Sequence, residues 1–376
     1  MGLIVTPQSE IDKYFASPAL SQSNLKELGY GLDKYLATIR KREEADDSVK
    51  NHFLFGGAVD CILTGEEQVF NETYYTSNLL KKPSDAEVCM IDTVFELVTT
   101  VVTSNMEEID TLETYRGFID TAVVKHDWYK GKPGDVRIAG LIERGSEYFE
   151  DLKKAFGKKI LTTTQKQMID SVVHSFRTNP RTSKYFDREF FKDDLTLMDI
   201  YYQLPIYFEL KGIKCKALLD FLLVFKDKDG VITSIQPFDV KTKQGYTIEF
   251  PSSAKSYRYD FQSAWYSDAL LNPTAVFPEG LELPKDVELK PFTFVVESST
   301  EPGKPLVFKT NESFIDAGRN GVVNPVTGKI AVKGYHALLD DYNYYAKTEW
   351  KEERIVTDNN GVLELSWDGI VENYAD

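Results

Sequence analysis

Apolar residues fall into two kinds of run along this chain, and the kind changes with position. Residues 216–225 and 231–240 are dense in apolar and β-branched types with Asp229-Gly230 between them, which predicts two strands joined by a two-residue hairpin. A preceding strand is predicted at about 199–210, where Pro205 marks a bulge or an edge. Further strands are expected at 291–298 and 305–309. Helical spacing prevails elsewhere: from Ser21 or Ser23, as caps, to about Lys41, then 49–63, 252–271 and 333–349. Residues 84–178 are mainly helical in pattern, at 86–105, 136–155 and 163–178, with a break at Gly131–Gly134. The expectation is one α/β unit over 1–376, its core strands and helix at 199–310, with 84–178 as a helical insertion.

The hairpin carries the chemistry. If Asp229-Gly230 is the whole turn, Lys228 pairs with Val231, and antiparallel register sets Asp220 directly across from Asp239. Opposed Cβ atoms lie roughly 5 Å apart, close enough for two carboxylates to share one cation. Lys241 is two residues beyond Asp239 and so on the same face. Two acids and a lysine on an oily hairpin are costly to bury without a partner, and a divalent cation is one. A structural ion pair between Asp220 and Lys241 is the plainer alternative.

Asp…Asp-X-Lys on a hairpin, with Phe238-Asp239-Val240-Lys241 as its second half, resembles the core of the PD-(D/E)XK nucleases. Gln262 and Tyr266, spaced i, i+4 on the following helix, resemble the Gln-x-x-x-Tyr of the RecB-type subgroup. Ser21 and Ser23 resemble its opening Ser-x-Ser, though helix capping explains either serine. Gly56-x-x-x-Asp60 resembles its Gly-x-x-x-His helix, with Asp60 where the family has a metal-binding His. A carboxylate there suits Mg²⁺ or Mn²⁺, and the alternative is an ordinary solvent-facing residue. Gln203 is a second departure, since some relatives carry a Glu near that point.

The order of motifs is most similar to RecE (exonuclease VIII-type) phage exonucleases. The resemblance implies a restriction-endonuclease-like sheet flanked by helices, and a metal-dependent exonuclease acting on duplex DNA ends. It implies that Asp220, Asp239, the Val240 carbonyl and Asp60 hold Mg²⁺ or Mn²⁺. Lys241 would orient or deprotonate the attacking water, Gln262 would position Lys241 or a phosphate, Tyr266 would face DNA or the core, and Lys243, Lys255, Arg258 and the two serines would contact DNA. A ring-shaped homo-oligomer and a single-strand annealing partner are further implications. An endonuclease on the same scaffold and a module that binds without hydrolysis are the alternatives.

Composition modifies this picture in three ways. With 42% hydrophobic and 27% charged residues, the chain reads as globular, with no apolar run long enough to span a membrane and no secretory signal, hence cytoplasmic in a bacterium or phage-infected host. Cys61, Cys89 and Cys215 are too dispersed and too few for a four-cysteine iron–sulfur cluster, and are expected as small buried hydrophobes. The formal charge of −15 opposes DNA binding at long range. That charge is uneven, however: 152–159, 175–184 and the Lys241–Arg258 stretch are basic, while the acidic surplus gathers at 43–47, 107–113 and the C-terminus.

Overall fold

The computed structural model describes residues 3–43, 51–64, 67–128, 131–186, 197–326, 328, 330–351, 353–354, 365–366 and 369–370. The acidic stretch at 44–47 and the last six residues lie outside them. The chain divides into two compact units, one of Met1–Ser48 with Phe176–Asp376 and one of Val49–Ser175. The second unit thus takes in the helix that carries Asp60 as well as most of 84–178.

The first unit is mixed α/β. Its strands are β1 (Leu3–Val5), β2 (Leu20–Ser21), β3 (Leu197–Leu210), β4 (Ile213–Lys226), β5 (Ile232–Lys243), β6 (Glu288–Leu289), β7 (Thr293–Ser298) and β8 (Leu306–Lys309). They form one sheet in the order β1-β3-β4-β5-β7-β8, with β2 beside β4 and β6 beside β5. The pairs β3–β4, β4–β5 and β7–β8 are antiparallel, while β5 and β7 run parallel. Apolar residues on both faces of β4 and β5 are what a central, doubly covered strand requires. One face stacks Phe221 on Phe238, ring centroids 4.7 Å apart, against Tyr185 and Phe186.

Helices cover the opposite face. These are α1 (Gln8–Ala16), α2 (Gln22–Leu28), α3 (Leu32–Glu43), α4 (Phe250–Ser256), α5 (Tyr259–Leu271), α6 (Glu312–Asn320) and α7 (Tyr335–Lys347). Leu222, Val224 and Ile235 from the sheet share a core with Leu25 of α2, Phe261 and Trp265 of α5, and Leu338 of α7. The expected helix from Ser21 to Lys41 is instead two, broken at Gly29–Gly31, where Gly31 has φ +112°. The expected helix 252–271 is also two, with Arg258 between them at φ +57°. The guanidinium holds that break by donating to both oxygens of Asp260, at 2.9–3.2 Å, and to the Lys333 carbonyl at 3.2 Å.

The second unit is largely helical, with helices at Asn51–Leu63, Asp85–Leu97, Arg116–Lys125 and Gly134–Ala155. Tyr74–Thr76 pairs parallel with Lys159–Leu161. Its own core gathers Met90, Ile91, Ile119, Leu141 and Phe149. Among the described residues, no helix is long and apolar enough to cross a membrane. Only Cys215 of the three cysteines is buried; Cys61 is half-buried and Cys89 exposed, which corrects the expectation for those two.

Candidate active site on the central hairpin

The hairpin turn differs from the two-residue one that Asp229-Gly230 suggests. It closes over three residues: Asp227 N donates to Val231 O at 2.9 Å, Gly230 N donates to Asp227 O at 3.0 Å, and Gly230 sits at φ +84°. The Asp227 carboxylate accepts from the backbones of Asp229 and Val231, both at 2.9 Å, and so stabilises the turn. This turn would shift the register by one, but a bulge between Phe225 and Lys226 shifts it back, with Thr233 as the extra residue. The ladder then runs Phe225↔Ser234 to Phe221↔Phe238, and one step further it sets Asp220 against Asp239.

Asp239 is the centre of the site. It is 1% exposed, on the helix-covered face of β5, with its neighbour Phe294 across on β7. Its Oδ1 accepts a hydrogen bond of 2.7 Å from Gln262 Nε2 of α5, and its Oδ2 forms an ion pair with Lys241. Lys241 follows two residues along the same face with its side chain 22% exposed. Desolvation pulls the Lys241 pKa down, but Asp239 and then Asp220 outweigh it and leave the pKa raised, so the ammonium is charged at neutral pH. Its Nζ lies 5.1 Å from the ring centre of Tyr259, which stacks on Phe250 and Phe294.

Tyr266, one turn after Gln262, lies among the same groups. Burial first, then the charges of Tyr14, Asp220 and Asp239, push its phenol well above the ordinary value and keep it neutral. The structure therefore brings together Asp220, Asp239, Lys241, Gln262 and Tyr266 from β4, β5 and α5.

Other predicted residues are differently engaged. Ser21 is buried and caps α2 by accepting from Asn24 N at 3.3 Å, with Ser23 Oγ 3.1 Å away. Lys243 Nζ donates to Glu249 and to the Gln244 carbonyl, Arg258 is committed to Asp260, and Lys255 is exposed on the last turn of α4. Asp60 lies in the second unit, beside Tyr74, whose phenol burial and the charges of Cys61 and Asp60 push up to about 12.

Two participants carried no motif of their own. Lys26 of α2 donates to the Tyr257 carbonyl at 3.2 Å; burial lowers its pKa, and Arg258 and Lys241 add to that. Tyr259 underlies Lys241. Each sits inside a motif-bearing segment, 20–26 or 257–266, and that adjacency was the available signal.

The donors present suit a hard cation in part. Asp239 Oδ2 is buried and lacks an aligned hydrogen bond, a second carboxylate stands opposite in register, and the Val240 carbonyl adjoins it. These are oxygen ligands of the kind Mg²⁺ and Mn²⁺ take. Among the described residues, no three His, Cys, Asp or Glu side chains are gathered to hold a metal ion.

No family model and no curated protein matches the chain. A solved Eubacterium rectale structure named "Putative exonuclease" is similar at a TM-score of 0.32 and 12% identity, over 73% of this chain and 90% of that one. Likeness of that degree is too low to carry fold or function across.

Proposed function

We propose that the chain is a metal-dependent deoxyribonuclease that hydrolyses phosphodiester bonds at duplex ends, of the recombination or repair type and of phage origin. The reading rests on Asp239, buried between Lys241 and Gln262 with Asp220 in register opposite. Asp220, Asp239 and the Val240 carbonyl would hold Mg²⁺ or Mn²⁺. When bound, the ion lowers the pKa of its water and offsets charge on the phosphate. Lys241 contributes a fixed positive charge toward the phosphate oxygens, where charge builds in the transition state. Gln262 holds one Asp239 oxygen and so orients the carboxylate. Tyr266 stays a neutral donor that positions its neighbours and transfers no proton.

The test uses end-labelled linear duplex and covalently closed circles with Mg²⁺, Mn²⁺ or EDTA. Wild type is expected to consume the linear DNA alone, only with metal, and Asp239→Ala to lose at least a hundredfold in rate. Cut circles would make it an endonuclease.

The ion pair that buries Asp239 against Lys241 favours a second reading, a module that binds DNA without hydrolysis and in which Lys241 serves Asp239 as its permanent counter-charge. A melt separates the two without relying on activity. If the acids hold Mg²⁺, the ion at about 100 times its Kd stabilises wild type by about 2.7 kcal/mol. Asp239→Asn should abolish that shift. Equal melting of both proteins with and without Mg²⁺ would favour the binding module.

A further inference from the structure

Beyond Lys243 the chain leaves the sheet, and the turn it makes forms one wall of a groove of about 440 Å³. Arg181, Tyr246, Ile248, Glu301, Lys304 and Leu306 line it. The groove lies past the carboxyl ends of the parallel strands β5 and β7, whose last registered pair is Lys243↔Ser298. Crevices outside the carboxyl ends of strands are where α/β sheets take ligands. Lys241 is only two residues, roughly 7 Å, from Lys243 along β5.

The walls are tied together. Ser299 N donates to Lys243 O at 2.9 Å, Thr247 Oγ1 to Lys304 O at 3.1 Å, and Gly245 N to Thr300 Oγ1 at 3.3 Å. Glu297, fully buried, accepts from Gly303 N at 3.0 Å and anchors the far wall from below. On this framework Tyr246 is 64% exposed and Ile248 70%, which is unusual for residues so firmly based. Arg181 and Lys304 are exposed beside them and Glu301 adds one carboxylate, so the lining is net positive on a chain of formal charge −15.

We propose that this groove binds an unpaired DNA strand, with a base stacked on Tyr246 and phosphates against Arg181 and Lys304. The choice of DNA as ligand rests on the nuclease reading; the preference for a single strand rests on the groove. An exposed aromatic face next to cations is the combination that holds single strands, because every base has a π-face to offer once it is unpaired. In a duplex that face is already covered by the neighbouring base pair. Ile248 and Leu306 extend the apolar floor. Lys243, whose charge is met by Glu249, does not compete for the phosphates.

The experiment is fluorescence anisotropy of a labelled oligothymidylate in EDTA, so that cleavage cannot intervene. Tyr246→Ala is expected to weaken binding about tenfold, within the range for loss of one stacked base, while Tyr246→Phe stays within twofold of wild type. Arg181→Gln with Lys304→Gln should flatten the dependence of log affinity on log salt by about 0.7 for each phosphate that is no longer neutralised. Lys285→Gln, an exposed cation outside the groove, should change neither measure. Affinities of Tyr246→Ala and the double variant within twofold of wild type would overturn the proposal, as would full competition by inorganic phosphate alone. Cleavage of linear duplex is measured separately: Tyr246-dependent binding without cleavage keeps the groove and removes the nuclease reading, and cleavage without such binding does the reverse.

Discussion

Gln203 holds a left-handed backbone, φ +49°, in the middle of the fourteen-residue strand β3. The ladder with β4 runs unshifted on either side of it, Tyr202↔Phe221 and Leu204↔Leu219, which places Gln203 opposite Asp220. A side chain in that conformation costs about 1–2 kcal/mol, and such strain persists where surrounding structure over-determines it, often at functional sites. Gln203→Gly is therefore expected to be neutral or to stabilise by up to about 1 kcal/mol in urea unfolding, while Gln203→Val, branched at Cβ, costs more than about 1 kcal/mol. If the distortion serves to place Asp220, the glycine variant also loses cleavage despite its stability. Equal destabilisation by glycine and valine would refute the strain. None of this was legible beforehand, because φ is not written in a glutamine. The register of the hairpin, which ends at Phe221↔Phe238 beside Asp220 and Asp239, was legible, although by a wrong turn: a three-residue loop and a compensating bulge restore the register that a two-residue loop would have set. Parity along the strand decided the faces, and parity survives two opposite shifts.

At the scale of elements, the site depends on where α5 lies, and α5 is held from both sides. Trp265 Nε1 donates to the Lys216 carbonyl of β4 at 3.2 Å, and Asp268 receives Arg319 of α6 and Tyr335 of α7. Contact with α6 is closest at Gly318, where a Cβ would stand 2.2 Å from the Asp260 carbonyl oxygen and 2.8 Å from Ala264 Cβ. Gly318→Ala must push α6 off α5, at a cost of about 1–3 kcal/mol for an overpacked contact. Chemical denaturation should show that loss, and metal-dependent cleavage should fall with it, because Gln262 lies two residues from the displaced carbonyl. An exposed helical glycine would instead gain about 1 kcal/mol from alanine, and a gain here would refute the close approach. The five long strands and the helices at 51–63, 134–155 and 335–347 were readable from period and turn residues to within about three residues, whereas the short strands β1, β2 and β6 and helices α1 and α6 were not anticipated. Nor were the breaks at Gly29–Gly31 and Arg258. The second arises from an arginine whose left-handed conformation is fixed by Asp260 and a carbonyl seventy-five residues away, and local propensity does not register a partner that distant.

For the whole molecule, the division into two units is the feature with the most to test. The helical periodicity from 84 onward marked most of the second unit, but the Asn51–Leu63 helix, apolar around much of its surface, gave no sign of which core it belongs to. The second unit gathers Met90, Ile91, Val94, Ile119, Ala122, Leu141 and Phe149 into a core of its own, while the sheet and α5 share another. A unit of this length with a separate core is of the size that folds alone. Residues 49–175 expressed by themselves are expected to give a helical circular-dichroism spectrum, dispersed amide resonances and one cooperative thermal transition. Gly145→Val in the same fragment should abolish that cooperativity, since a Cβ at Gly145 already meets Ile91 Cδ1 at 2.5 Å across the core. A fragment without dispersed resonances would mean that this core is completed by the rest of the chain. Asp60, which the resemblance makes a metal ligand, lies in this unit and not in the one that holds Asp220 and Asp239. The isolated fragment, lacking the hairpin acids, must therefore show no Mg²⁺-induced rise in melting temperature at all.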